Sequence, residues 1–266
     1  VKSNAVIEAS YRLSPCEFHV LHACLAQIDS TMVLKEQSEF TLHATDYAKL
    51  TGVSRNRAYD ALKEASKKLI ERKVVIKDPT SLKSKDDYLV TLWVYAIKYK
   101  ETTTSITLCF SPYILPYLTQ LRGRYTQYEL HNVSKMKSIY AIRLYEWLMQ
   151  WKTKHLLEIS LDEYRERLQV ESKYPSIKDL KLYTLKPALK GINETSDIIV
   201  KFDQKKLGRI VTHFVFTWVY KNPQKPKKKI SPKKLITPQE YASLHPEKTR
   251  GKTLTEVTSM IKDDLK

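Results

Sequence analysis

Two groups of side chains have the types and spacings that chemistry needs: a Cys/His cluster near the start, and lysines and arginines gathered on helix starts and a hairpin tip. The cluster is Cys16-Glu-Phe-His-Val-Leu-His-Ala-Cys24. It follows Ser14-Pro15, a helix-start pair, and Phe18, Leu21, Leu25 and Ile28 give that helix an apolar stripe. At about 100° per residue, Cys16, His19, His22 and Cys24 spread around most of the helix and do not converge on one tetrahedral ion. No metal site is expected.

Enzymatic chemistry is not indicated either. The sequence contains neither GxxxxGK[ST] nor GxGxxG, so nucleotide hydrolysis is not expected and no cofactor is implied. A DNA-nicking tyrosine would need a His-x-His metal pair, which is absent although tyrosines abound. No Ser/His/Asp set or carboxylate pair stands apart from the acids that balance the basic surface.

The basic residues carry more. In Gly52-Val-Ser-Arg-Asn-Arg-Ala-Tyr-Asp-Ala-Leu62, Ser54 takes an N-cap-like position and Arg55 and Arg57 fall in the first helical turn. That is where a recognition helix meets base edges, although a solvated helix start would look the same. Lys63, Lys67 and Lys68 follow; Lys63 and Lys67 share a face and repel unless phosphates neutralise them. Further on, a segment from Ser176 to Asn193 places Ile177, Leu180, Thr184 and Leu185 on one side and Lys178, Lys181 and Lys186 largely off it. Pro187 predicts a kink or restart at 185–187, with Lys190 beyond it. The segment Asp203-Gln-Lys-Lys-Leu-Gly-Arg209 has Gly208 for a positive-φ turn and Lys205, Lys206 and Arg209 around it. This composition suits a wing laid along phosphates, or a solvated turn. Lys83 and Lys85, in a long polar loop, are candidates for a second wing.

The elements that position these residues occur twice. Leu62-Lys-Glu-Ala-Ser-Lys-Lys-Leu-Ile-Glu71 matches Leu185-Lys-Pro-Ala-Leu-Lys-Gly-Ile-Asn-Glu194 at Leu, Lys, Ala, Lys and Glu. Each copy runs into a β-branched strand, Val74–Lys77 and Ile198–Lys201. Short capped helices precede them at Thr45–Leu50 and Leu161–Leu168, and alternating strands follow at Tyr88–Ile97, Ser105–Phe110 and Arg209–Val219. Short helix, turn, longer helix, strand, loop, strand is the order of a winged helix-turn-helix. The expected fold class is therefore α+β: two tandem winged helix-turn-helix domains related by internal duplication, plus a basic C-terminal tail. Their expected extents are 1–132 and 133–220. A helix roughly 10–12 Å across fits the major groove, about 12 Å wide, and two such helices can enter grooves one turn apart.

Composition agrees. Over 266 residues, 46 Lys+Arg against 29 Asp+Glu leave a formal charge of +17, which asks for a polyanionic partner. The excess is +4 over residues 1–130, +6 over 131–220 and +7 over 221–266. The run Lys221–Lys234, with seven lysines and three prolines, reads as an extended linker, and two short Thr-capped helices are expected beyond it, from Thr237 and Thr253. Only 5 Gly against 42% apolar residues excludes collagenous and low-complexity chains. Three cysteines without a CxxC pair imply no disulfide framework and fit a reducing cytoplasm. Neither a membrane span nor a signal-peptide core is apparent, and the missing initiator Met suggests that a few N-terminal residues lie outside the sequence.

With these blocks in order, the chain resembles the iteron-binding replication initiators, the Rep family of theta-replicating bacterial plasmids. The resemblance spans about residues 3–220 and rests on Ser3-Asn4 with Ile7–Ser14, Phe110–Tyr117, Arg124–Tyr128, Tyr140–Leu148, and Lys186–Glu194 followed by Lys206–Arg209. It implies a monomer that binds direct repeats in double-stranded plasmid origin DNA, helps open an adjacent AT-rich duplex, and recruits the host initiator and replicative helicase, with chaperones as further partners. It also implies a homodimer, formed through the N-terminal domain, in equilibrium with that monomer and repressing the initiator's own gene. By position, the 176–195 helix would be the principal base reader, the Arg55–Lys68 helix and the wings would support it, and helix 139–151 with the Arg124 block would join the halves and transmit the dimer–monomer change. The Tyr140/Leu144/Leu148 spacing is equally that of core packing. A transcription regulator of the same fold, without origin function, is the competing class, and the Lys-rich tail lies outside the shared pattern.

Overall fold

In the computed structural model the first half runs β1 (Lys2–Ser3), α1 (Asn4–Glu8), β2 (Ser10–Tyr11), α2 (Pro15–Leu25), β3 (Glu39–His43), α3 (Ala44–Thr51), α4 (Arg55–Leu69), β4 (Lys73–Ile76), β5 (Leu89–Leu92), β6 (Val94–Lys100) and β7 (Ser105–Phe110). A 3-10 turn at Leu115–Tyr117, β8 (Tyr125–Thr126) and α5 (His131–Ser134) lead to α6 (Ile139–Gln150). The second half continues with β9 (Leu156–Ser160), α7 (Leu161–Leu168), α8 (Ile177–Leu180), a π-helical turn at Lys181–Leu185, α9 (Lys186–Thr195), β10 (Ile198–Leu207) and β11 (Ile210–Tyr220). The structure describes residues 1–29, 34–35, 37–77, 84, 87–119, 121 and 123–222. The expected tail helices, the linker beyond residue 222, Lys83 and Lys85 lie outside the described residues. Among the described residues, no helix is long and apolar enough to cross a membrane.

Local chemistry explains most boundaries. At α2 the Ser14 hydroxyl accepts from the Glu17 amide at 3.2 Å while the Glu17 carboxylate accepts from the Ser14 amide at 2.7 Å, a closed capping box ahead of Pro15. The first short helix starts at Ala44, ahead of Thr45, with His43 at the cap position and no side-chain cap bond. It stops at Gly52, whose φ of +76° glycine adopts without strain. Ser54 takes the expected N-cap position of α4, but its hydroxyl makes no cap bond. The second short helix, α7, is capped by Ser160 accepting from the Glu163 amide at 3.2 Å. The irregularity that accompanies Pro187 lies just ahead of the expected 185–187, and it is neither a kink nor a restart. The chain stays helical, and the wide turn at Lys181–Leu185, closed by the Lys186 amide on the Lys181 carbonyl, makes room for the proline ring.

All sheets are antiparallel, in the orders β1-β8, β2-β4-β5, β3-β7-β6 and β10-β11-β9. The strand expected across Tyr88–Ile97 divides at Trp93. There the indole turns into the core, edge-on to Tyr11 at 5.0 Å, and the chain changes partners from β4 to β7. Both halves are winged helices, but they close differently: β3 pairs with β7 in the first, whereas its counterpart β9 pairs with β11, the return strand of the wing, in the second.

Helix α6 is the hub. Every residue from Ala141 to Met149 is buried, because α6 packs against α1 and α9 at once. Leu144 and Leu148 are accordingly core residues. The Trp147 indole N–H donates to the Ile7 carbonyl at 3.0 Å, and the Tyr145 hydroxyl donates to Asp197 at 2.8 Å. Glu146, wholly buried, accepts from Lys2, from Tyr128 Oη at 2.5 Å, from Tyr11 Oη at 3.2 Å and from Arg143 Nη1 at 3.4 Å. Burial pushes this carboxyl up, yet the Lys2 charge, the hydrogen bond from His22 and the Arg143 charge outweigh it and hold Glu146 well below the usual carboxylate range. The Cys/His cluster is divided among separate partners. His22 stacks on Phe18 and meets Lys2 Nζ at 2.9 Å, His19 meets the Val133 carbonyl at 3.3 Å, and Cys24 is buried while Cys16 is exposed.

Candidate nucleic-acid interface

The second half assembles its basic surface on the continuous helical segment from Ile177 to Thr195 and on the β10–β11 hairpin. Ser176 caps the segment, its hydroxyl accepting from the Asp179 amide at 3.0 Å. Leu180, Thr184, Leu185, Ala188 and Ile192 turn inward, leaving Lys178, Lys186 and Lys190 exposed. Lys181 behaves differently. It is half-buried, lies 5.7 Å from the Phe202 ring centroid and donates to Gln204, so it ties the helix to the wing. The hairpin turns through Gly208, at a φ of +61°, and Arg209, with Leu207 paired to Ile210. Lys205, Lys206 and Arg209 are all exposed, and Lys205 reaches Glu158 at 2.5 Å.

In the first half, the tight turn at Gly52 delivers α4 with Arg55, Asn56 and Arg57 exposed in its first turn. Lys67 and Lys68 are exposed in its last turn. The repulsion expected between Lys63 and Lys67 is relieved within the molecule. Lys63 bonds Glu101 at 2.6 Å and lies 5.3 Å from the Tyr59 ring centroid, and Lys67 sits 4.0 Å from Glu64. The bond to Glu101 raises the Lys63 pKa. Lys190 similarly lies 3.9 Å from Glu194. Arg55, Arg57, Lys68, Lys178, Lys186, Lys206 and Arg209 have no acidic partner among the described residues. Their charge is left uncompensated by ion pairs among the described residues.

Two exposed helices, each preceded by a short helix and followed by a hairpin, with unpaired cations on helix and wing, form a surface for a polyanion. Residues 1–149 match the family model described as "Initiator Replication protein, WH1", and residues 160–218 match "Initiator Rep protein, WH2". The chain belongs to this family of replication initiators. A replication initiation protein of Escherichia coli is 32% identical over 222 residues, which is 81% of this chain and 67% of that protein. The PI protein of Escherichia coli is 26% identical over 230 residues, 75% of each chain. Among solved structures, the Pi initiator protein, crystallised in complex with iteron DNA, is similar with a TM-score of 0.69 at 25% identity, covering 82% of this chain and 94% of that one.

In this initiator, the exposed face of the second helix holds two residues that a search for basic side chains passes over. Leu182 is 44% and Tyr183 54% exposed, and Tyr183 stacks on Tyr174 at 5.5 Å. The signal for Leu182 lies in the spacing: Lys178, Leu182 and Lys186 recur every fourth residue, in register with one another and out of register with the buried Leu180, Thr184 and Ala188. Asn56, between Arg55 and Arg57, is the corresponding omission in the first half, and its amide is a residue type that reads adenine.

Proposed function

We propose that this chain binds the direct repeats, or iterons, of a plasmid origin in a sequence-specific way, with the C-terminal winged helix as the principal base reader. The observation that carries this reading is the row Lys178, Leu182, Lys186 on the Ile177–Thr195 segment, exposed and free of acidic partners among the described residues. Lysines there can bond guanine edges and Leu182 can pack on a thymine methyl. Arg55, Asn56 and Arg57 on α4 offer a second reading helix, and Lys206 and Arg209 offer phosphate contacts. The likeness to the Pi initiator supports iterons as the target class.

On this reading the protein works in the bacterial cytoplasm by binding rather than by catalysis. It promotes opening of the neighbouring AT-rich duplex, recruits the host initiator and helicase, with chaperones as further partners, and exists as a homodimer in equilibrium with the DNA-binding monomer. The N-terminal winged helix forms that dimer, which represses the initiator's own gene, and α6 transmits the change between the halves. The test is footprinting on DNA flanking the gene at two salt concentrations, with the mass of the bound protein determined. Protected direct repeats with one chain on each establish the initiator reading. Protection of a lone inverted repeat by a dimer replaces it with a transcription repressor.

A further inference from the structure

Leu207 and Ile210 face each other across the turn of the second wing and are 77% and 70% exposed, more than any other large apolar side chain among the described residues. A hairpin tip in water ordinarily carries polar residues, and leaving two aliphatic side chains there forgoes their burial. Phosphate contact makes no use of them. Their neighbours are cations: Lys206 precedes Leu207 and Arg209 sits between the two in the turn, both without acidic partners among the described residues, so whatever covers the tip is anionic beside an apolar or stackable centre.

The shape is also specific. Gly208, at a φ of +61°, closes the strands through only two residues, which keeps the tip narrow. A register shift between Lys205 and Lys206 leaves Thr212 as a bulge, which increases the twist just behind the tip. A narrow, twisted, cation-flanked ribbon ending in aliphatic side chains fits the minor groove of duplex DNA, about 6 Å wide, where apolar wedges part base steps and kink the helix.

We propose that Leu207 and Ile210 enter the minor groove as an apolar wedge that bends the DNA at the wing, while Lys206 and Arg209 hold the phosphates on either side. The inference rests on the DNA-binding reading above and adds deformation to it, favouring sites with a flexible pyrimidine–purine step under the wing.

The experiment compares the full chain with the double variant L207S/I210S and with K206A/R209A, on a DNA fragment footprinted with the unaltered protein and labelled at its ends for energy transfer. L207S/I210S is expected to lose roughly tenfold in affinity and most of the bend while keeping the salt slope, because no phosphate contact is removed. K206A/R209A is expected to flatten the slope by about 0.9 per contact. Both substituted apolar side chains are exposed, so an unchanged thermal midpoint verifies folding. Wild-type bending and affinity in L207S/I210S overturn the wedge, as does a variant whose self-association changes while its DNA bend does not. Failure of the unaltered protein to bind any flanking DNA overturns the functional reading itself.

Discussion

Gly191 of α9 faces Ala141 of α6 so closely that a Cβ built on the glycine would lie 2.9 Å from the Ala141 Cβ. The contact seats α9 on the hub between the halves. In the other copy of the repeat the matching residue is Lys68, exposed at the end of α4. The copies diverge here because only α9 must press against α6.

Gly191→Ala should therefore destabilise the protein. Alanine gains up to about 1 kcal/mol of helix propensity, whereas overpacking a close helix contact costs typically 1–3 kcal/mol. A net loss of about 1 kcal/mol is expected in the urea midpoint, with recovery in the double variant A141G/G191A, which returns the missing space. A more stable G191A single variant would show that the two helices separate without cost.

Acid should weaken the fold through the hub. Burial, and then the Lys2 charge, lower the His22 pKa from 6.5 to about 4. Between those values the unfolded chain binds a proton that the folded chain refuses, so this contribution is fully present above pH 6.5 and is lost as the pH falls. Glu146, held below its ordinary 4.5, acts in the same direction at lower pH. Unfolding followed from pH 7 to pH 5 should lose on the order of 2 kcal/mol from His22, and the slope should flatten in His22→Gln. An identical slope in that variant would assign the acid sensitivity to other groups.

Much of this was legible in sequence where local chemistry decides the outcome. The duplicated Leu-Lys-x-Ala-x-Lys block marks both long helices, Ser14-Pro15 opens α2, Leu161–Leu168 bounds α7, and Gly208 makes the wing turn. What escaped depends on residues distant in sequence. Trp93 divides a strand because Tyr11 receives its ring, and Lys63 and Lys181 leave the outer surface because Glu101 arrives from the turn between β6 and β7 and Gln204 from β10. Alternation and charge counting see a residue's own neighbours along the chain, so they register neither event. The exposed Leu182, Leu207 and Ile210 escape for a different reason: charge patterning does not mark them, and an apolar residue signals a binding surface only once the core is known to exclude it.

The same distinction sorts the basic residues by their expected effect on salt dependence. Lys206 and Arg209 are unpaired among the described residues, and replacing either with alanine should weaken binding to all DNA and reduce the salt slope by about 0.9. Lys63, Lys205 and Lys190 must first leave Glu101, Glu158 and Glu194, so their alanine variants should change the slope less. Affinities measured across a salt series check this. Equal slope changes in both sets would mean that the intramolecular pairs open on binding and the ranking is void.

Base reading should be separable from this uniform attraction on the Ile177–Thr195 segment. Substituting Lys178 or Lys186 with methionine keeps the aliphatic stem but removes the donors. The expected cost is about 1–3 kcal/mol on the preferred sequence and little on unrelated DNA, with preference relaxed at one base position. Leu182→Ser should relax a thymine position without altering the salt slope, since it removes a methyl contact and no charge. Lys181→Met should instead disturb both sequence preference and wing contacts together, because Lys181 joins the helix to Gln204 on β10. Binding to a library of singly substituted sites distinguishes the three patterns. If Lys178, Leu182 and Lys186 variants all weaken every site alike, the segment positions the protein on the backbone and base reading lies elsewhere, with Arg55, Asn56 and Arg57 the next residues to substitute.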